Sequence, residues 1–331
     1  MELNQRIFLL EKLGNYILEN GAGLKDACIR AEEQNPWFSQ EFISLSLKNI
    51  ANYYLEKSQL ENWAAQYPCV DNAQPKKIGL TLAGNIPLVG FHDLLCVFIS
   101  GHHAILKLSS KDEVLFTHLI SILNEWDIET NKVITISTDL KNCDAYIATG
   151  SNNSARYFEY YFKKYPHIIR RNRTSAAILS GSENDNELSL LADDMMLYYG
   201  MGCRNVSHIS VPYNYDFLPL LNALKKYNSF IEFHKYKNNY DYRLALLLMN
   251  QINYMDSGGI LLIENKSLFA PVSCIHYSFY VDEKSTREAL LENEDLQCLV
   301  GAEGIPFGQA QQPSLNDYAD GVDTMQFLCA L

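Results

Sequence analysis

The sequence predicts an α/β fold preceded by an α-helical N-terminal segment. Up to about residue 67, apolar residues recur at helical spacing. From Lys77 onward, short apolar runs rich in β-formers alternate with helical stretches. Such alternation is typical of a mostly parallel sheet with helices on both faces. The length of 331 residues suggests two domains, at a prior of roughly 150 residues each.

Each element follows from its local pattern. Two apolar stripes predict the N-terminal helices, and Gly101 is typical of a helix C-terminus just before a strand. A helical pattern recurs around 156–164. The stripes are Phe8, Leu9, Leu13, Ile17 and Leu18, then Leu45, Leu47, Ile50, Tyr54 and Leu55. The predicted strands are 78–83, 104–108, 133–137, 145–149, 176–179 and 206–211.

The composition favours an ordinary globular protein. Apolar residues make up 47% and charged residues 20%, which argues against disorder, collagen-like repeats and coiled coils. Lys and Arg number 27 against 39 Asp and Glu, so the net charge is −12. An acidic surface of this kind disfavours nucleic acid and anionic membranes as partners.

The cysteines and the N-terminus predict a cytoplasmic protein. The eight cysteines form no CxxC pair, so we expect reduced thiols and no zinc site. Charged residues interrupt the first twenty positions, where a signal peptide would be apolar. The most apolar region, 78–106, contains Asn85, Pro87, Asp93 and two histidines, which disfavours a membrane span.

Several catalytic motifs are absent from the sequence. The nearest string to G-x-G-x-x-G is Gly200 to Asn205, which ends in Asn and follows a helical pattern. The P-loop, the G-x-S-x-G elbow and H-E-x-x-H do not occur. Adjacent His102 and His103 would point to opposite faces of a strand, so we expect a structural role and no metal site.

Four strings lie where strands end or where the backbone must approach closely. They are Ala83-Gly84-Asn85-Ile86-Pro87, Ala104 to Lys111, Ala148-Thr149-Gly150-Ser151 and Tyr199-Gly200-Met201-Gly202-Cys203-Arg204-Asn205. Pro87 predicts the first turn of a helix after the first strand. In the fourth string, Gly200 and Gly202 precede a cysteine and allow close approach of the backbone.

Their order and spacing resemble the aldehyde dehydrogenase superfamily, and their departures resemble its LuxC-like branch of acyl-CoA reductases. Asn85 precedes Lys107 by 22 residues, which resembles the spacing between the turn Asn and the strand Lys of the superfamily. Gly150 precedes Cys203 by 53 residues, which resembles the spacing between its Gly-Ser pair and its nucleophilic Cys. Two later strings, Phe269-Ala270-Pro271-Val272 and Pro306-Phe307-Gly308, resemble family motifs too.

The resemblance implies an aldehyde-dehydrogenase-like fold with two parallel-sheet domains. One is a Rossmann-like cofactor domain and the other a smaller catalytic domain. We expect residues 1–174 to form the NADP(H)-binding domain with the N-terminal helices, and 175–304 the catalytic thiol domain. Residues 305–331 would be a C-terminal segment packing back across the domains.

The resemblance also implies catalytic roles. Cys203 would be the nucleophile that attacks an acyl thioester, and the side-chain amide of Asn85 would stabilise the oxyanion together with the Cys203 backbone N–H. Residue types alone leave two other interpretations open. Cys203 could be a buried core thiol, and Asn85 a simple turn residue.

For the cofactor, the resemblance assigns Lys107 to the adenosine ribose, Gly150-Ser151 to the pyrophosphate and Phe269 to the cofactor site. Relatives that prefer NAD carry a Glu where this chain has Ser110, beside Lys111. Hydroxyl and ammonium donors admit a 2′-phosphate, so we expect NADPH and no metal. Lys107 as a solvated charge and Ser151 as a plain N-cap remain alternatives.

The departures favour reduction. The family's hydrolytic Glu falls at Ile169, and no Asp or Glu occurs from Pro166 to Ser182. The Glu that steadies the nicotinamide ribose falls at Ser267, with Glu264 nearby as a substitute. We therefore expect NADPH-dependent reduction of a fatty acyl-CoA to an aldehyde.

Two alternatives are an NAD(P)-dependent aldehyde dehydrogenase that recruits another base, and a non-catalytic nucleotide-binding homologue. Partners would be an acyl thioester and either a second copy of the chain or an acyl-transferring enzyme. The only basic cluster, Lys163, Lys164, Arg170, Arg171 and Arg173, could meet phosphates or be a solvated helix end and loop.

Overall fold

The computed structural model describes residues 1–68, 74–301 and 303–331, without the side chain of residue 152. Two compact units are present. The first comprises Met1–Asn172 with Pro313–Leu331, and the second comprises Arg173–Gln312. The predicted boundaries fall after residues 174 and 304, two residues later and eight residues earlier than those of the compact units. Residues up to 312 belong to the second unit because Gly308 and Ala310 donate their backbone N–H groups to buried Asp194.

The first unit begins with the predicted helices. The buried face of the first helix runs through Leu10, Leu13 and Ile17. Phe8 and Leu18, two members of the apolar stripe that predicts this helix, are 59% and 52% exposed. The helices are α1 (Leu3–Glu19), α2 (Ala22–Gln34), α3 (Gln40–Tyr54) and α4 (Lys57–Ala64).

A five-stranded parallel sheet follows, in the order β3-β2-β1-β4-β5. Its strands are β1 (Lys77–Thr81), β2 (His103–Lys107), β3 (Ile134–Ile136), β4 (Ala145–Thr149) and β5 (His167–Arg170). Its helices are α5 (Phe91–Ile99), α6 (Glu113–Trp126), α7 (Thr130–Val133) and α8 (Asn152–Phe162). The C-terminal helix of the unit, α13 (Thr324–Cys329), packs on α5.

The order of this sheet brings three carboxyl ends together. Thr81 at the end of β1 lies opposite Lys107 on β2, and opposite Ala148 on β4. Because the carboxyl ends of parallel strands share one edge, the connections after β1, β2 and β4 start side by side.

The second unit contains a six-stranded sheet in the order β11-β6-β7-β10-β9-β8, in which only β8 is antiparallel. Its strands are β6 (Thr174–Ile178), β7 (Val206–Pro212), β8 (Tyr254–Asp256), β9 (Leu261–Glu264), β10 (Cys274–Tyr280) and β11 (Leu296–Val300). Its α-helices are α9 (Asp185–Met196), α10 (Leu218–Leu224), α11 (His234–Met249) and α12 (Glu283–Leu291). The predicted α/β architecture is therefore observed, with one parallel sheet and a second sheet that is parallel except for β8.

The cysteines correct one expectation. Cys329 is disulfide-bonded, whereas Cys28, Cys96, Cys143, Cys203, Cys274 and Cys298 are not. Separation along the chain places no limit on the distance between two sulfurs, so spacing alone could not reveal this bond. Cys69 lies outside the described residues.

The basic cluster is neither solvated throughout nor a single site. Arg170 is 2% exposed and donates to Asp93 (2.6 Å) and Thr324 (2.8 Å). Exposed Arg171 pairs with Glu159, and Arg173 donates to a backbone carbonyl in its own unit. The solvated interpretation was wrong for Arg170, because β5 carries it into the interior.

The described part of the chain contains neither a membrane-spanning helix nor a metal-binding cluster. No helix there is long and apolar enough to cross a membrane. No group of three or more His, Cys, Asp or Glu side chains in those residues could hold a metal ion. His102 is buried, and its two ring nitrogens bond to the backbone of Lys76 and Leu328, which fits a structural role.

Candidate active site

The turn after β1 presents Asn85. Asn85 is exposed, and Gly84 before it is packed so tightly that an added Cβ would lie 2.5 Å from Ser109 Oγ. The turn therefore lies directly against the segment that follows β2. Pro87 lies in the turn, and α5 begins only at Phe91, which corrects the predicted helix start.

A buried carboxyl group fixes the rest of this turn. Asp112 Oδ2 accepts the backbone N–H of Leu88 (2.7 Å), whose φ is +56°. Burial raises the pKa of Asp112 well above its ordinary value. The left-handed Leu88 redirects the chain between the exposed Asn85 and α5.

The segment after β2 presents two cations and a hydroxyl group. Lys107, Ser110 and Lys111 are all exposed, as an anion-binding surface requires. The side chains of Gln34 and Asn35 hold this segment by donating to the carbonyls of Ser110 (2.8 Å) and Lys111 (3.2 Å). The backbone is thus anchored to α2 and its C-terminus while the side chains reach solvent.

Gly150 and Ser151 join β4 to α8. Ser151 is the N-cap of α8, and its Oγ accepts the N–H of Ser154 (3.3 Å). An added Cβ at Gly150 would lie 2.9 Å from Ser154 Cβ and 3.0 Å from Phe158 Cε2. Only glycine fits this junction without displacing α8, and the backbone stays open to a ligand.

In the second unit, Cys203 lies in a turn between α9 and β7 and is half-buried. Asn205 N donates to Gly202 O (3.1 Å), which closes the turn. The buried Asn205 side chain accepts the N–H of Gly202 (2.8 Å), and Ser175 Oγ donates to the carbonyl of Cys203 (3.0 Å). The backbone that carries the thiol is held on both sides.

Strained backbone precedes this turn. Tyr198 and Tyr199 both have left-handed φ, +56° and +57°, and Gly200 follows at +71°. A left-handed conformation costs a residue other than glycine roughly 1–3 kcal/mol. Tyr199 packs against Phe230 and other aromatic rings, and this packing offsets the strain. Such strain is concentrated at functional sites in proteins.

The Pro306-Phe307-Gly308 string reaches the same turn through Asp194. Asp194 Oδ2 and Oδ1 accept the N–H groups of Gly308 (2.6 Å) and Ala310 (3.0 Å). Burial raises the pKa of Asp194 to about 6. Arg204, next to Cys203, donates Nε to the carbonyl of Ala310.

Phe269 lies half-buried in the connection between β9 and β10. Ser207, at the start of β7, donates to the carbonyl of Leu268 (2.6 Å) and so ties this connection to the strand that follows Cys203. Ser267 is exposed, its carbonyl lies 2.9 Å from His276 Nδ1, and Glu264 is exposed at the end of β9. Ile169 lies in β5, with a hydrocarbon side chain where the family has its hydrolytic base.

The predicted site residues thus fall into two groups. The first unit brings Asn85, Lys107, Ser110, Gly150 and Ser151 to one edge of its sheet. The second unit carries Cys203 and Phe269 on two connections joined through Ser207. Sequence reasoning missed the side chains of Ser175 and Asn205, which hold the thiol turn, and that of Asp194, which holds the segment of Gly308 and Ala310. The one available signal was a polar residue close to the cysteine that follows Gly202, and it pointed to Asn205, two positions after Cys203, alone.

Comparison with solved structures defines the class of fold. An NAD-dependent benzaldehyde dehydrogenase from Corynebacterium glutamicum matches with a TM-score of 0.67 and 10% identity, over 91% of this chain and 76% of that one. An NAD-dependent aldehyde dehydrogenase from Sinorhizobium meliloti matches with a TM-score of 0.63 and 11% identity, over 91% and 70%. The fold is that of the aldehyde dehydrogenases, as predicted.

Sequence comparison defines the family. The family described as acyl-CoA reductase (LuxC) matches residues 15–212. The chain therefore belongs to the LuxC acyl-CoA reductase family, which confirms the resemblance.

Two curated relatives agree with this assignment. A long-chain acyl-protein thioester reductase from Aliivibrio fischeri is 25% identical over 291 residues, 81% of this chain and 56% of the relative. A long-chain acyl-protein thioester reductase 2 from Photobacterium leiognathi is 23% identical over 245 residues, 64% and 51%. The chain spans about half the length of these relatives.

Proposed function

We propose that this protein reduces a fatty acyl thioester to an aldehyde with NADPH, through an acyl-enzyme on Cys203. The observation that carries the proposal is the Cys203 turn, a half-buried thiol on a backbone held on both sides, in a chain with Ile169 in place of the hydrolytic glutamate. Membership of the LuxC family and the names of the two relatives support a thioester as substrate.

The chain's own residues account for the acyl-transfer steps. The Cys203 thiolate attacks the thioester carbonyl, and the negative charge that develops on oxygen is stabilised by the Cys203 N–H. Collapse of this adduct expels the thiol carrier and leaves an acyl group on Cys203. After reduction, the hemithioacetal releases the aldehyde and restores the thiolate. Because Ile169 stands where the spacing puts the water-activating glutamate of the family, hydrolysis of the acyl-enzyme to acid is slow in this proposal.

The first unit offers residues that fit the cofactor. Lys107 would hold the adenosine ribose, and the Gly150-Ser151 junction would let the pyrophosphate approach the α8 N-terminus, where an added Cβ would fill the space. Ser110 and Lys111, exposed on an anchored segment, would accept a 2′-phosphate. NADPH supplies the hydride when bound.

Both an acyl-CoA and an acyl-protein are compatible with this chemistry, because Cys203 meets only the thioester group. The names of the curated relatives favour a long acyl chain and a protein carrier. A second copy of the chain or an acyl-transferring enzyme remains the proposed partner.

The test follows NADPH absorbance with medium-chain and long-chain acyl-CoA, and with the same acyl groups on a carrier protein. We expect NADPH oxidation matched by aldehyde, and none with Cys203→Ala. Cys274→Ala is the matched control, because burial raises the pKa of that thiol to about 11 and keeps it protonated. Unchanged turnover in Cys203→Ala, or acid formed from free aldehyde, would contradict the proposal.

A further inference from the structure

Three backbone groups around Cys203 are occupied by hydrogen bonds, and two residues provide all three. Asn205 accepts the Gly202 N–H through its side chain (2.8 Å) and donates its own N–H to the Gly202 carbonyl (3.1 Å). Ser175 Oγ donates to the Cys203 carbonyl (3.0 Å). The peptide units before, at and after the Gly202–Cys203 bond are each held.

These bonds determine where the Cys203 N–H points. The Gly202 carbonyl and the Cys203 N–H belong to one planar peptide unit and point in opposite directions. Holding the carbonyl against Asn205 therefore directs the N–H to the other side of the turn.

Both residues are anchored in the second unit. Asn205 is 1% exposed, and its Nδ2 also contacts the carbonyls of Asp194 (3.0 Å), Met195 (3.3 Å) and Leu197 (2.9 Å) at the end of α9. Ser175 is fully buried on β6, and its Oγ lies 3.0 Å from the Sγ of Cys298 on β11. Hydrogen bonds thus fix the position of the turn relative to α9 and to the sheet of the second unit.

We infer that Asn205 and Ser175 are positioning residues that aim the Cys203 N–H at the oxyanion formed during acyl transfer. The inference rests on the proposed function in taking Cys203 as the nucleophile. It adds that a backbone N–H held in a fixed orientation stabilises the transition state of acyl transfer, in addition to the reactivity of the thiol.

Two small reagents distinguish the orientation of the Cys203 N–H from the reactivity of the Cys203 thiol, and neither requires NADPH. Acylation by p-nitrophenyl acetate forms a thioester on Cys203, expels p-nitrophenolate and passes through an oxyanion. Alkylation by iodoacetamide displaces iodide at a saturated carbon and forms no oxyanion. Both rates are measured at Cys203 by peptide mass spectrometry in the full chain, with thermal unfolding followed in parallel.

In Ser175→Ala we expect acylation to fall roughly fivefold to tenfold, the effect of one lost hydrogen bond, with alkylation within twofold of wild type. In Asn205→Ala the acylation rate should fall further. If Asn205→Ala does not fold, Ser175→Ala alone still tests the inference. Ser210→Ala removes an equally buried serine hydroxyl from β7 and should change neither rate.

Acylation unchanged in Ser175→Ala, or acylation and alkylation falling together, would overturn the inference. The inference would also be overturned if, in the wild-type protein, Cys203 were acylated no faster than the other cysteines. Normal acylation in a protein that never oxidises NADPH would instead count against the proposed function alone.

Discussion

Two buried side chains of the second unit respond to pH in opposite directions. His208 on β7 is 2% exposed beside His276 on β10, and burial lowers its pKa to about 4. Asp194 is 1% exposed, and burial raises its pKa to about 6. Because the pKa of each group differs between the folded and the unfolded chain, each contributes to the pH dependence of stability.

The signs follow from these pKa values. The folded pKa of His208 lies below its ordinary value of about 6.5, so its contribution is lost as pH falls from about 6.5 to 4, by about 3 kcal/mol at most. The folded pKa of Asp194 is raised, so its contribution is present at low pH and lost as pH rises from about 4 to 6, by a similar amount.

As pH falls below 6.5, we therefore expect the wild-type protein to lose stability relative to His208→Phe. Over the same fall in pH, it should gain stability relative to Asp194→Asn. Thermal unfolding between pH 4.5 and 7.5 measures both differences. Parallel curves for wild type and either variant would contradict the corresponding assignment.

In the proposed cofactor site, we expect Ser110 to select between NADPH and NADH. Ser110→Glu would place a carboxylate where a 2′-phosphate is expected, so we predict at least a tenfold rise in KM for NADPH with a smaller change for NADH. Ser121→Glu adds the same charge on an exposed part of α6 and should leave both constants unchanged. An equal rise in KM for NADPH and NADH would show that Ser110 does not distinguish the 2′-phosphate of NADPH from the 2′-hydroxyl of NADH.

At the scale of elements, the junction of β4 and α8 depends on a missing side chain. Gly150→Ala would push against Ser154 and Phe158, so α8 must shift or tilt. We expect NADPH affinity, followed by cofactor fluorescence, to fall about tenfold while the fold is retained. Gly21→Ala is the control, because an added Cβ there meets nothing within 4 Å. Unchanged affinity in Gly150→Ala would remove this junction from the cofactor site.

At the scale of the whole molecule, one ion pair joins distant parts of the first unit. Arg170 on β5 bonds to Asp93 on α5, and also to Thr324 and the carbonyl of Ala319 near the C-terminus. The edge strand, the helix after β1 and the last segment of the chain thus share one buried guanidinium group.

Arg170→Met should destabilise the protein by about 3–5 kcal/mol, because it leaves the buried carboxylate of Asp93 uncompensated. Adding Asp93→Leu should restore much of that loss. Lys57→Met, which breaks an exposed pair with Glu61, should cost less than about 1 kcal/mol. Chemical unfolding of the full chain measures all four proteins, and no recovery in the double variant would refute the explanation.

Elements with strong local patterns were predictable, and elements without them were not. Strand 145–149 was predicted with its observed bounds. The short edge strand β5 was missed because basic residues surround its two isoleucines, and the four strands after residue 212 were missed as well. The spacing of Asn85, Lys107, Gly150 and Cys203 led to the correct family.

The sequence by itself determined the α/β class, the family and the candidate residues, because hydrophobic periodicity and motif spacing are local properties of the chain. Only the tertiary structure decided that Arg170 is buried, that residues up to 312 belong to the second unit, and that Ser175 and Asn205 hold the thiol turn. Ser175 lies 28 residues from Cys203, and Asp194 lies 114 from Gly308. Such contacts arise when strands and helices pack, and no local pattern encodes which distant residues will then meet.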